Sequence, residues 1–152
     1  MEEILKLLDP FLELENTVVK GDIIYLYAKS SRTDIVCPYC KSASNKAHSH
    51  YQRSFQDLPI QGKKVIIVLE NRKMFCNNPE CEHRTFAETF HFLSHKAKKS
   101  NRLKDEIINI SLNVSSVTAS EILRNGTVDV GKSTICNLLK KRYSDNRQRE
   151  DN

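Results

Sequence analysis

Tryptophan is absent from this 152-residue chain, and aromatic residues make up only 7% of it. So little bulky apolar material, in a chain that is 39% hydrophobic overall, argues against the large single core of an ordinary enzyme domain. No apolar run is long enough to cross a bilayer. The start is amphipathic, with Ile4, Leu5, Leu7 and Leu8 among Glu2, Glu3 and Lys6, and lacks the pattern of a secretion signal. Together these absences point to two small units in a cytoplasmic, reducing setting, with no membrane partner.

Cysteine is used sparingly and in a pattern. Cys37-Pro38-Tyr39-Cys40 and Cys76-Asn77-Asn78-Pro79-Glu80-Cys81 are two short thiol pairs flanking a polar, β-rich segment. Zinc favours four soft ligands at about 2.3 Å, and a closely spaced pair can wrap a tight turn so that both sulfurs face one ion. Buried thiols have no reason to pair up, and disulfides need an oxidising compartment. Cys37, Cys40, Cys76 and Cys81 are therefore the expected Zn2+ ligands. His48, His50 and His83 are spare candidates, with His48 and His50 expected along a strand or loop. Cys136 stands apart in a helical pattern and reads as a small core residue.

The net charge of +5 conceals an asymmetry. Residues 1–34 hold seven acids against four bases, net −3, leaving 20 bases against 12 acids, net +8. Lys96, Lys98, Lys99, Arg102 and Lys104 cluster after the second thiol pair. Lys132, Lys140, Lys141, Arg142, Arg147 and Arg149 crowd the end of the chain. Clustered cations are the footprint of a phosphate-backbone partner, and a merely solvated surface is the bland alternative.

Periodicity predicts α+β architecture: a small zinc-ribbon-like β domain, then a three-helix, helix-turn-helix-like unit. Three stretches are expected: residues 1–34 as a helix and β-hairpin extension, 35–92 as the ribbon, and 93–152 as the helical DNA-binding region with a basic tail. A helix over 2–8 should stop at Asp9-Pro10. Strands over 11–19 and 23–28 should join through Gly21-Asp22. Further strands are expected over 51–58, 64–75 and 85–90, with a turn over 59–62. The run Val65-Ile66-Ile67-Val68-Leu69 marks the central strand. Beyond Phe92 the period becomes helical. Leu103, Ile107, Ile110 and Val114 share one face over 101–113. A second helix, 118–124, presents Ala119, Ile122 and Leu123. A third, 132–142, buries Ile135, Leu138 and Leu139. Lys132, Ser133, Thr134, Asn137 and Lys141 fall off that face, so in a helix-turn-helix they would reach bases and phosphates.

Residues 126–133 satisfy the phosphate-loop pattern, Gly126, four residues, then Gly131-Lys132-Ser133. A working phosphate loop follows a buried strand and needs a parallel sheet to hold magnesium. Upstream lies a polar helical stretch, so the match is read as accidental and no nucleotide is expected.

Several stretches together resemble the N-terminal zinc-binding region of the ISL-three family of insertion-sequence transposases. They are the first thiol pair, 48–53, Asp57-Leu58-Pro59-Ile60, the 65–69 strand, 75–81, and Arg84-Thr85-Phe86-Ala87-Glu88. The likeness is close over residues 35–90 and looser in the helical part. It implies a DNA-binding protein that recognises the terminal inverted repeats of its element. In such relatives a following nuclease domain resembling ribonuclease H cuts DNA with three acidic residues and divalent metal. Asp145, Glu150 and Asp151 sit in a polar basic tail and are assigned no catalytic role. The expectation is a truncated or split, non-enzymatic transposase part that binds double-stranded DNA, alone or with a second copy or full-length transposase. The alternatives are a stand-alone regulator and a zinc-ribbon adaptor for proteins.

Overall fold

The computed structural model describes residues 1–125, 128 and 130–150, without the side chain of Glu150. A short helix α1 (Glu2–Leu8) buries Leu5 and stops where expected, at an extended Asp9 before Pro10. The Asp9 carboxylate is almost fully buried. It accepts from the Phe11 amide at 2.8 Å and from the Arg32 guanidinium at 3.0 Å, which fastens the end of the helix to both ends of the neighbouring hairpin. That hairpin is antiparallel and consists of strands β1 (Leu12–Lys20) and β2 (Ile23–Ser30). Gly21 takes φ +57° at its turn, a left-handed conformation costly for a side-chain-bearing residue.

Two longer strands, β5 (Ala47–Ile60) and β6 (Lys63–Phe75), make the second hairpin, after the short pair β3 (Ile35–Val36) and β4 (Ala43–Ser44). Its turn is Gln61-Gly62, both at positive φ, the mirror-image turn that suits strand twist. Pro59 belongs to β5 rather than to the turn, at a register shift between Asp57 and Ile60 where a missing N–H is tolerated. β5 starts four residues earlier than the periodicity suggests and carries His48 and His50 as strand residues.

The main sheet runs β1-β2-β6-β5. β6 is central as expected, with Val65, Ile67 and Leu69 wholly buried and the alternate Ile66 and Val68 half-buried. β2 lies parallel to β6, Ile24 beside Val65 and Leu26 beside Ile67, so the N-terminal hairpin and the ribbon strands share one sheet. That pairing ends at Lys29 and Glu70, after which β7 (Thr85–Ala87) pairs with residues 73–75 of β6. β7 is shorter than the expected 85–90 strand because Phe90, Phe92 and Leu93 turn inward to cover the sheet, packing with Leu5, Leu12 and Phe55.

Three helices complete the described chain: α2 (Asn101–Ser111), α3 (Ser116–Asn125) and α4 (Lys132–Glu150). The Ser100 hydroxyl accepts from the Leu103 amide to cap α2, and Ser115 accepts from Thr118 to cap α3. Leu103, Ile107, Ala119, Leu123 and Ile135 form their shared core, with Val128 and Val130 from the connection. Ile122, expected inside, is 45% exposed; its place is taken by Ser120, whose hydroxyl donates to the Val130 carbonyl at 2.7 Å. α4 continues well beyond residue 142, so Asp145 lies in a helix rather than a tail. Of the phosphate-loop match, Gly126, Thr127 and Asp129 lie outside the described residues, as does Asp151. The described part of that segment includes no strand leading into α4.

Buried polar clasps join these parts. Asp57 on β5 accepts from the Ser100 hydroxyl at 2.7 Å and the Arg102 Nε at 2.8 Å, and also binds Arg102 Nη2. Arg72 on β6 grips the buried Glu88 carboxylate through two nitrogens, at 2.9 and 3.1 Å, and donates to the Arg32 carbonyl at 2.8 Å.

Candidate metal centre and basic surface

Each thiol pair sits at the tip of a β connection. The first lies between β3 and β4, where the Cys37 amide donates to Ser42 and the Cys37 carbonyl accepts from Lys41, both at 2.9 Å. Lys41 takes φ +65° to complete this turn. The second follows β6 directly. The Cys76 amide donates to Arg84 at 2.8 Å, the Cys81 amide to the Asn78 carbonyl at 3.1 Å, and the Asn78 side chain accepts from Glu80. The strand pairings behind them, β3 with β4 and β6 with β7, fix how far apart the tips lie.

The four sulfurs lie within 4.8 Å of one another, with Cys40 and Cys76 at 3.5 Å. Tetrahedral zinc at about 2.3 Å from each sulfur requires sulfurs about 3.8 Å apart, so the donor set fits in number, chemistry and spacing. Cys37 is fully buried and the others half-buried, packed against Ile35, Met74 and Phe86. His83 is not a ligand; its ring stacks on Tyr39 at 3.6 Å and pins one thiol turn to the other. His48 meets Phe75 edge-on at 4.9 Å.

The electrostatics explain why a cation belongs here. Hydrogen bonds from the Ser42 side chain and backbone pull the Cys40 thiol down to about 6. Cys76 receives the Asn78 amide, which pulls it down, but burial and hydrogen bonding among Cys40, Cys81 and Cys37 outweigh this and push it up to about 12. The His83 amide favours the Cys81 thiolate, yet burial and Cys40 drive that thiol upward too. One thiolate forms readily, and further ones repel it. A divalent cation would relieve the repulsion, and four thiols gathered in a zinc-finger segment suit Zn2+.

The expected DNA contacts fall into distinct settings. Lys96 and Lys98 are exposed and Lys99 is half-buried on the segment before α2. Arg102 does not join them, since its guanidinium is committed to Asp57. On α4, Lys132, Ser133, Thr134, Asn137 and Lys141 are all exposed, while Ile135 is buried and Cys136 is half-buried, its sulfur 3.5 Å from the Ser116 hydroxyl. Lys104 completes a cluster on the packed α2 and α4 faces. Burial, then Lys141 and Lys99, hold its amine below the usual lysine range. The sequence places Lys104 among the cations but not opposite Lys141, because the two meet only through helix packing.

Residues 33–83 match the family described as the zinc-finger of transposase IS204/IS1001/IS1096/IS1165. The match spans both thiol pairs and strands β3 to β6. No curated protein and no solved structure matches the chain.

Proposed function

We propose, from a transposase-type zinc finger at residues 33–83, that this chain binds duplex DNA at the terminal inverted repeats of its element. The ribbon and the helical unit act as two linked contacts, with α2, α3 and α4 as a helix-turn-helix-like unit and α4 in the major groove. Lys132 and Lys141 hold phosphates, and Ser133, Thr134 and Asn137 meet base edges. The observation that carries the reading is the family match, and the cations of α2, α4 and the segment before them supply the charge it needs. Zinc holds the ribbon's shape and does no chemistry. Strand cutting, in this reading, belongs to parts of the transposition machinery other than the described elements.

The test is fluorescence anisotropy with duplexes carrying the element's ends or a shuffled sequence, across a salt series. Neutralising about six phosphates predicts a log–log salt slope of roughly −5 and preference for the end sequence. Equal affinity at low and high salt would overturn the phosphate contacts, and equal affinity for both duplexes would overturn end recognition.

A further inference from the structure

A cleft of about 880 Å³ runs between β5 and the segment that follows β7. Its wall is tied down at several points. The Arg53 guanidinium donates to the carbonyls of Ser94 at 2.8 Å and Ala97 at 3.3 Å. The Gln56 amide donates to the Lys98 carbonyl and the Ser100 amide returns to Gln56, both at 2.9 Å, zipping the segment onto β5. Held this way, Lys96 adopts φ +57°, a conformation a lysine avoids unless its surroundings impose it. The result is a fixed wall with Lys96 and Lys98 among the residues lining the cleft, neither ion-paired among the described residues.

Charge and shape both limit what fits. Among the described residues Glu88 is the one carboxylate lining the cleft; it is 2% exposed and neutralised by Arg72. The lining therefore reads as positive. It also carries an exposed aromatic side chain: Tyr51 is 45% exposed, and its hydroxyl accepts from Asn71 at 3.0 Å. A duplex backbone has no use for an aromatic face, because every base in a duplex is already stacked on its neighbours. Cations beside an aromatic platform suit an unpaired nucleotide, with phosphate on the amines and base on the ring.

We propose that this cleft holds an unpaired nucleotide of single-stranded DNA adjoining the bound duplex, with Lys96 and Lys98 on its phosphates and Tyr51 under its base. The proposal rests on the duplex-binding reading above, and adds a class of DNA that reading does not require. The zinc-loaded full chain is titrated with a blunt duplex and with the same duplex carrying a short single-stranded overhang, some with 2-aminopurine in the overhang. The overhang is expected to tighten binding roughly tenfold and to quench the 2-aminopurine by stacking. Tyr51→Ala abolishes both effects while blunt-duplex affinity stays unchanged; Tyr51→Phe keeps both, since the ring remains. Lys96→Gly, which suits the left-handed backbone and so retains the fold, reduces the overhang advantage. Intact blunt-duplex binding with no overhang preference and no quenching overturns this inference alone. Loss of binding to every DNA by the wild-type chain overturns the duplex reading itself.

Discussion

Replacing Asp57 by alanine should loosen the helical unit from the sheet at a measurable cost. The carboxylate is 4% exposed on its side chain and accepts from Ser100 and twice from Arg102, joining β5 to the first turn of α2. Deleting one member of a buried ion pair costs about 3–5 kcal/mol because the remaining charge is stranded. Here Arg102 keeps 26% exposure and can recover water, and the Ser100 hydroxyl still accepts from Leu103, so about 2–4 kcal/mol is expected. With a urea dependence of about 2 kcal/mol per molar, the unfolding midpoint at saturating zinc drops by about 1–2 M. Arg102→Ala should cost at least as much, since it strands the more deeply buried carboxylate with the Ser100 hydroxyl alone, and the double variant should cost less than the sum. A cycle in which Asp57→Ala and Arg102→Ala add independently, or a loss below about 0.5 kcal/mol for Asp57→Ala, would refute the clasp.

Further outcomes concern the metal centre and the basic surface. Cys76 and Cys81 are held protonated above the usual thiol range while Cys40 sits at about 6, so zinc binding at neutral pH should release at least two protons. Affinity then falls as pH falls, by at least about 100-fold per unit, measurable by calorimetry in buffers of differing ionisation enthalpy. Tyr39→Ala removes the stacked contact with His83 and should weaken coupling of the two thiol turns by about 1 kcal/mol, seen as faster zinc loss to a chelator. Lys104→Ala should lower the magnitude of the DNA salt slope by about 1 without altering sequence preference, as for any phosphate contact.

What the sequence reveals and conceals divides by range. The thiol pairs are legible because ligands a few residues apart are set by local turns. The first helix, the Gly21 hairpin and the 63–75 strand are legible for the same reason, since proline, glycine and alternation act within a few residues. The parallel pairing of β2 with β6 is not, because no local signal specifies which distant strand an apolar strand will choose. Arg102 looks like one more cation in a run until Asp57, 45 residues away, is placed against it. Ile122 misleads in the other direction: helical periodicity counts apolar residues, but Ser120 is buried instead once a backbone carbonyl is there to receive its hydroxyl. Of the site, the metal ligands are readable from spacing, whereas the cleft beside Tyr51 exists only once the 94–100 segment is fastened to β5.

The parallel pairing also fixes an order of events during synthesis. β1 and β2 can pair as soon as they leave the ribosome, but β2 then shows a bare edge rich in Ile23, Ile24 and Leu26 until β6 is complete. At about 5–20 residues per second, the interval between Ser30 and Phe75 emerging is roughly 2–9 s. Metal cannot shorten it, because Cys76 and Cys81 emerge later still, after the strand that would cover the edge. The nascent chain is therefore most open to sticking to its neighbours before it has any means of holding zinc, and supplementing a culture with zinc cannot protect that stage.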